Sequence, residues 1–386
     1  MTRLWKLRLV SVLFALIAAI VISEIGLRVA GISSPNFVMP DQYRGFSTKP
    51  GAEGWWRKEG EAYIRINSDG LRDRERTKEK PPNTIRVAVL GDSMIEAMQV
   101  PLEQTSCAII EDRLQHCPAL AGRKVEVINF GVASYGTAQE LLTLRHKVWD
   151  YSPDIVVLAF FTGNDVKDNS RWLAQDPDLR AYFAYENGQL VPDMSFLQSE
   201  RFKRQQSLQG RFLIWLKEHS RIVQVINDAR SAVRARREAN DQKVVDAFNL
   251  VYREPTDPVW TEAWRVTEGT ILLMRDEVKK KGAKFLLATL TNDRQVNPDP
   301  SVRQEFAKSL NVKDLSYPDQ RIKALGEREG IEVVNLASAL GDYAEHNKVF
   351  LHGFGSRIGF GHWNADGNRL AGETLSGALC GMISGN

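Results

Sequence analysis

The stretch Val87-Ala88-Val89-Leu90-Gly91-Asp92-Ser93-Met94 decides how this chain folds. A short apolar run ends in Gly-Asp-Ser, and a helix-like segment follows at about Glu103. That pattern reads as a buried parallel strand whose carboxyl end lifts a serine hydroxyl onto a turn, where open α/β sheets bind their ligands. Taken alone, the tripeptide reads equally well as a helix N-cap supplied by Asp92 or Ser93.

Outward from this strand, the same grammar repeats. Ile85–Leu90, Val125–Phe130, Ile155–Phe161, Lys284–Leu290 and Glu332–Leu336 are apolar runs without clean alternation, as expected of strands covered on both faces. Helical stretches fall between and after them, at Glu103–Gln115, Ala138–Trp149, Val259–Lys281, Asp319–Arg328 and Asn368–Met382. Alternating strand and helix predicts an α/β domain with a mainly parallel, doubly wound sheet.

The pattern breaks between about 167 and 256. There a basic, glutamine-rich stretch (201–211) precedes Phe212, Trp215, Leu216, Ile222, Val223 and Ile226 at roughly helical spacing, then the basic run 230–237. We read an insertion of one or two amphipathic helices. Its apolar face either packs on the core, forms a lid over the site, or lies on anionic lipid.

The N-terminus carries Arg3, Lys6 and Arg8 before the apolar run Leu9–Ile22, which continues more weakly to Ala30. A basic flank and a hydrophobic run read as an export signal or a signal anchor, with a buried N-terminal helix as the plain alternative; we favour an uncleaved anchor over residues 1–32, with the remainder extracytoplasmic, in the periplasm or at the cell surface. Val29-Ala30-Gly31 is the one candidate cleavage site. Residues 33–83 hold Trp55-Trp56, the alternating Ala62–Ile66 and the turn signal Asn67-Ser68-Asp69-Gly70, read as a small hairpin appendage and linker ahead of a main domain at 84–386. A net charge of +3, with no basic patch interleaved with aromatic platforms, argues against a nucleic-acid partner. Of three cysteines, Cys107 is expected in the core, and a partner for Cys117 is not readable from spacing.

Three further segments sit at strand ends or before the last helix. Asn129-Phe130-Gly131-Val132-Ala133-Ser134-Tyr135-Gly136 follows the second strand, and Thr162-Gly163-Asn164-Asp165 ends the third. Gly361-His362-Trp363-Asn364 precedes the final helix. Small residues let a backbone N–H face a ligand, an asparagine amide can donate to an oxyanion, and an imidazole is the usual base for a serine. Individually, Asn129 and Asn164 also read as turn residues, and His362 as a helix cap. His352 is the alternative base; His116, His146, His219 and His346 read as surface or helix-end residues.

The set Gly-Asp-Ser, Asn-x-Gly, Gly-x-Asn-Asp and a late histidine resembles the SGNH/GDSL hydrolase family, over Thr84 to about Asn386 apart from the insertion. The anchor and the segment Asn-Ser-Asp-Gly-Leu-Arg-Asp resemble a membrane-anchored bacterial branch of it. The resemblance implies a flavodoxin-like three-layer sandwich and hydrolysis of an ester, often an acyl or acetyl group. It implies Ser93 as nucleophile and oxyanion donor, His362 as base, and Asn164 with a backbone N–H of Ser134 or Gly136 as the other oxyanion donors. No metal or organic cofactor is implied. The expected substrate is an ester, such as an acylated glycan or lipid. An O-acyltransferase acting on sugars, or a non-catalytic carbohydrate-binding or assembly protein, are the alternatives. One departure stands out: the family's usual aspartate three residues before the histidine is Gly359 here. A Ser-His dyad, or an acid distant in sequence, is therefore expected.

Overall fold

The computed structural model describes residues 3–239 and 249–385. Four short strands come first: β1 (Val38–Asp41), β2 (Gly45–Thr48), β3 (Glu53–Trp56) and β4 (Ala62–Arg65). They pair as two antiparallel hairpins, β1 with β2 and β3 with β4. Along β4, Ala62 and Ile64 point inward while Tyr63 and Arg65 face solvent, the period-2 pattern of a one-sided ribbon. Its inner face joins Phe37, Ile66 and Met98 in a small core separate from that of the main sheet.

The main sheet comprises β5 (Thr84–Gly91), β6 (Lys124–Asn129), β7 (Ile155–Phe161) and, after the hairpin β8 (Tyr182–Glu186) and β9 (Gln189–Asp193), β10 (Lys284–Leu290) and β11 (Glu332–Asn335). All four pairings in this five-stranded sheet are parallel, in the order β11-β10-β7-β5-β6. Counted along the chain the order is 2-1-3-4-5, the doubly wound arrangement whose winding reverses beside the first strand. Along β5, Val87 and Val89 enter one apolar cluster while Ala88 and Leu90 enter another. Two-sided burial explains why these strands read as continuous apolar runs.

The helices follow the sequence expectation with shifts at their ends. The stretch from Glu103 is a 3-10 turn, Leu102–Gln104, and a separate helix, Ser106–Gln115, capped by Thr105. Helix Pro258–Lys280 starts where Asp257 accepts from the N–H groups of Val259 and Trp260, with proline at its first position.

The 167–256 region differs from the expected one or two helices. It contains the β8–β9 hairpin and then helices Glu200–Gln206, Leu208–His219 and Arg221–Ala239. The apolar helix Arg3–Val29 is long and apolar enough to cross a membrane over Trp5–Val29. Its polar residues meet the insertion: Glu24 accepts from the N–H groups of Arg221 (2.9 Å) and Ile222 (3.2 Å), and Arg28 reaches the His219 carbonyl. Cys117 is disulfide-bonded to Cys380 in the last helix, with Cα atoms 5.8 Å apart, while Cys107 is buried and free.

Candidate active site

Ser93 stands at the carboxyl end of β5, half-buried, as the first residue of the short helix Ser93–Glu96. Asp92 caps that helix, its carboxylate accepting from the Met94 N–H at 2.9 Å. Asn129 holds the turn from the side: its amide donates to the Ile95 carbonyl, and its oxygen accepts from the Gly131 N–H. Asn129 is thus a structural residue of the β6 end.

His362 lies on the loop before helix Ala365–Ser384, which is capped by Asn364 rather than by the histidine. Its Nε2 is 2.9 Å from Ser93 Oγ. Its Nδ1 is 2.6 Å from Glu59 Oε2, and its backbone N–H donates to Glu59 Oε1 at 2.7 Å. A carboxylate gripping both ring and backbone fixes the tautomer: Nδ1–H donates to Glu59, and Nε2 accepts from the serine hydroxyl.

The carboxylate beside His362 is that of Glu59, an acid distant in sequence. It comes from the turn between β3 and β4, more than thirty residues before Ser93, and the Trp56 indole donates to its carbonyl at 3.1 Å. Nothing local marked it. The tip Arg57-Lys58-Glu59-Gly60-Glu61 reads as a solvated turn, and Glu61 does pair there with Arg57 in an exposed contact. The one retrospective signal is Gly361. It has φ +96°, and a Cβ there would lie 2.2 Å from Glu59 Oε1. Only glycine leaves room for the carboxylate and tolerates that backbone.

Electrostatics follow the geometry. Burial pulls the His362 imidazole down, but the hydrogen bond and charge of Glu59, reinforced by Asp92 and Glu96, outweigh it, so its pKa is raised above the ordinary value. Burial pushes Glu59 up, yet its bonds to His362 hold it below the usual range. Under the serine turn, burial lifts Asp92 to about 6 and Glu96 to about 7, and carries Glu140 and Asp165 well above the ordinary range. His352 is buried. Its Nδ1 donates to the Gly361 carbonyl, its Nε2 accepts from Thr291, and burial drives it down to about 4. It is a neutral brace under the loop, not a base facing Ser93.

Just beyond the end of β7, Asn164 Nδ2 donates to Asp168 at 2.8 Å, leaving its second amide hydrogen uncommitted to that bond. Ser134 is exposed with φ +64°, the left-handed conformation for which glycine is the usual choice, and the Arg180 guanidinium grips its carbonyl at 3.0 Å. Gly136 departs from its expected role. Its N–H is buried and donates to Gln139 Oε1, closing the start of helix Thr137–His146. Ser134 and Asn164 line a cavity of about 600 Å³ that extends past Arg180 and Lys58 to Ser34 and the insertion helices. Among the described residues, no cluster of His, Cys, Asp and Glu is disposed to hold a metal ion.

No protein-family model matches this sequence, and no curated protein matches it. Solved structures of similar trace include an acetyl xylan esterase (15% identity, 76% of this chain, 100% of the other, TM-score 0.38). Others are a GDSL-like lipase from Bacteroides thetaiotaomicron (13%, 79% and 91%, 0.35) and a catalytic mutant of an acetylxylan esterase from Geobacillus stearothermophilus (13%, 80% and 96%, 0.37). Similarity this low carries no residue role or substrate over to the present chain.

Proposed function

We propose that this chain is a serine hydrolase acting on ester bonds, of the SGNH/GDSL kind, working through Ser93, His362 and Glu59. The hydrogen-bonded line from Ser93 Oγ through the imidazole to the Glu59 carboxylate carries this reading. Ser93 Oγ attacks the ester carbonyl while His362 Nε2 takes its proton, and Glu59 stabilises the imidazolium that forms. The tetrahedral oxyanion is held by the N–H groups of Ser93 and Ser134 and by Asn164 Nδ2, which Asp168 keeps in orientation. Collapse expels the alcohol, protonated by His362, and leaves an acyl-Ser93. Water, deprotonated by the same imidazole, then releases the acid. A sugar hydroxyl in place of that water turns the same machinery into an acyltransferase.

The reading includes an N-terminal membrane anchor with the site outside the cytoplasm. The apolar helix with its basic start supports this, as does the Cys117–Cys380 disulfide, since such bonds persist in oxidising compartments. Labelling by a serine-reactive fluorophosphonate tests the chemistry. Wild type should label at Ser93, Ser93→Ala should not, and a Ser93 that stays unlabelled across the pH range sinks the proposal. Alkaline phosphatase fused after Ser33 should be active; an inactive fusion refutes the topology.

A further inference from the structure

Helix Leu208–His219 leaves a stripe of large apolar residues without cover. Leu208 is 84% exposed, Phe212 58% and Trp215 51%. They recur at i, i+4 and i+7 and so share one face. Phe212 stacks on Trp215, and Trp215 on His219. The next helix, Arg221–Ala239, exposes Ile226 and Val233 on a face shared with Arg230 and Arg237. A stripe this apolar at the surface marks an interaction site.

Two observations say what covers it. The first is continuity with the membrane-spanning helix. Glu24 occupies the N-terminus of Arg221–Ala239, and Arg28 holds the last carbonyl of Leu208–His219. Beyond Gly31, Ser34 binds Gln224 and Asp228 of the same insertion helix. The junction of the two insertion helices is therefore fixed to the last two turns of the anchor, the level at which that anchor leaves the hydrocarbon. The second is charge. Exposed Arg211 lies on the stripe's own helix and exposed Arg204 on the helix just before it, joined by Arg230 and Arg237 on the following helix. Apolar and aromatic side chains bordered by arginine are the composition of a helix lying in a headgroup layer.

We propose that the insertion helices dock on the anionic lipid surface of the bilayer that holds the anchor, with Leu208, Phe212 and Trp215 in its headgroup region. This rests on the anchoring reading above. Docking there brings the part of the cavity lined by Ser34, Ile214 and Lys217 down to the lipid surface, and Ser134 and Asn164 line the same cavity.

The experiment uses the full chain in vesicles of phosphatidylcholine with and without phosphatidylglycerol. Single nitroxide labels go at Leu13→Cys in the anchor, Phe212→Cys in the stripe and Gln320→Cys on a distant exposed helix. The native cysteines are bonded or buried and do not compete. Relaxation by oxygen, which partitions into lipid, is compared with relaxation by a water-soluble nickel complex. Positions 13 and 212 should both favour oxygen and 320 should not. Phosphatidylglycerol should strengthen the preference at 212, and Arg204→Glu with Arg211→Glu should remove that gain. A label at 212 as aqueous as that at 320, with 13 in lipid, overturns the docking and leaves the anchor standing. A label at 212 shielded from both reagents indicates a protein contact and also overturns it. Indifference of 212 to lipid charge overturns the anionic partner. If position 13 is itself aqueous, the anchoring reading falls and the docking with it.

Discussion

The sheet's carboxyl edge and the β3–β4 hairpin supply the same hydrogen-bonded line in different ways. Ser93 and Asn164 sit on turns forced by buried parallel strands, and each arrives with its own local pattern of residues. Glu59 sits on a ribbon with its own small core, and it reaches His362 only because that ribbon docks on the main domain. Strand-end geometry makes a site residue visible in sequence. A residue delivered by docking of a separate segment carries no such mark.

The comparison breaks first at the serine. Ser93→Ala should reduce kcat by on the order of 10⁶, as when the nucleophile of such a unit is lost. Circular dichroism should be unchanged, because the side chain is on a turn and not in either core. Retained p-nitrophenyl acetate turnover would remove Ser93 from the mechanism.

Glu59→Gln should cost up to ~10⁴ in kcat, the loss seen when a triad acid becomes an amide and the tautomer is no longer imposed. Its pH signature sharpens the contrast. Activity needs neutral His362, so the rate falls as pH drops through the imidazole pKa. In wild type that pKa is raised, and the acid limb should lie above the ordinary histidine value. Removing the Glu59 charge should move the limb to lower pH while the plateau falls. An unmoved limb in a kcat/KM profile would leave Glu59 as a hairpin fastener only.

Asn164→Ala should lower kcat by about 10²–10³ with a smaller effect on KM, since its amide serves the transition state most. A rise in KM alone would make it a binding residue. Gly359→Asp, which restores an acid where the resembling family has one, should reduce activity several-fold rather than raise it. The position has φ +85°, and a Cβ would lie 2.8 Å from the Phe350 ring, so the loop bearing His362 has to shift. A gain would mean the hairpin acid is dispensable. The smallest catalytic effect is expected at Cys380→Ser. Losing a disulfide across so long a loop should cost ~2–5 kcal/mol of stability and lower Tm by several degrees, with kcat nearly unchanged.

The short β8–β9 hairpin was not read at all, whereas the five strands of the main sheet were readable almost to the residue, because burial on both faces writes an uninterrupted apolar run. Ile155–Phe161 and Lys284–Leu290 are the clearest cases. Helix starts were less so. Thr105 interrupts what reads as one helix from Glu103, and its capping side chain is visible only once the turn is seen. Of the two backbone candidates, Gly136 has its N–H taken by Gln139, three residues on, a local bond the spacing did not announce. The Cys117–Cys380 bond was beyond reach because its sequence separation is 263 residues.

The hairpin origin of Glu59 also bears on how such a protein changes over generations. Ser93 and His362, the proposed nucleophile and base, belong to the main α/β domain, so substitutions near them are constrained by packing. Glu59, the proposed acid, belongs to a peripheral ribbon whose small core is separate from both large ones. On the proposed mechanism, a single change at that turn would weaken turnover while leaving both large cores in place. In that case one substitution separates a reacting site from one that only binds, in either direction.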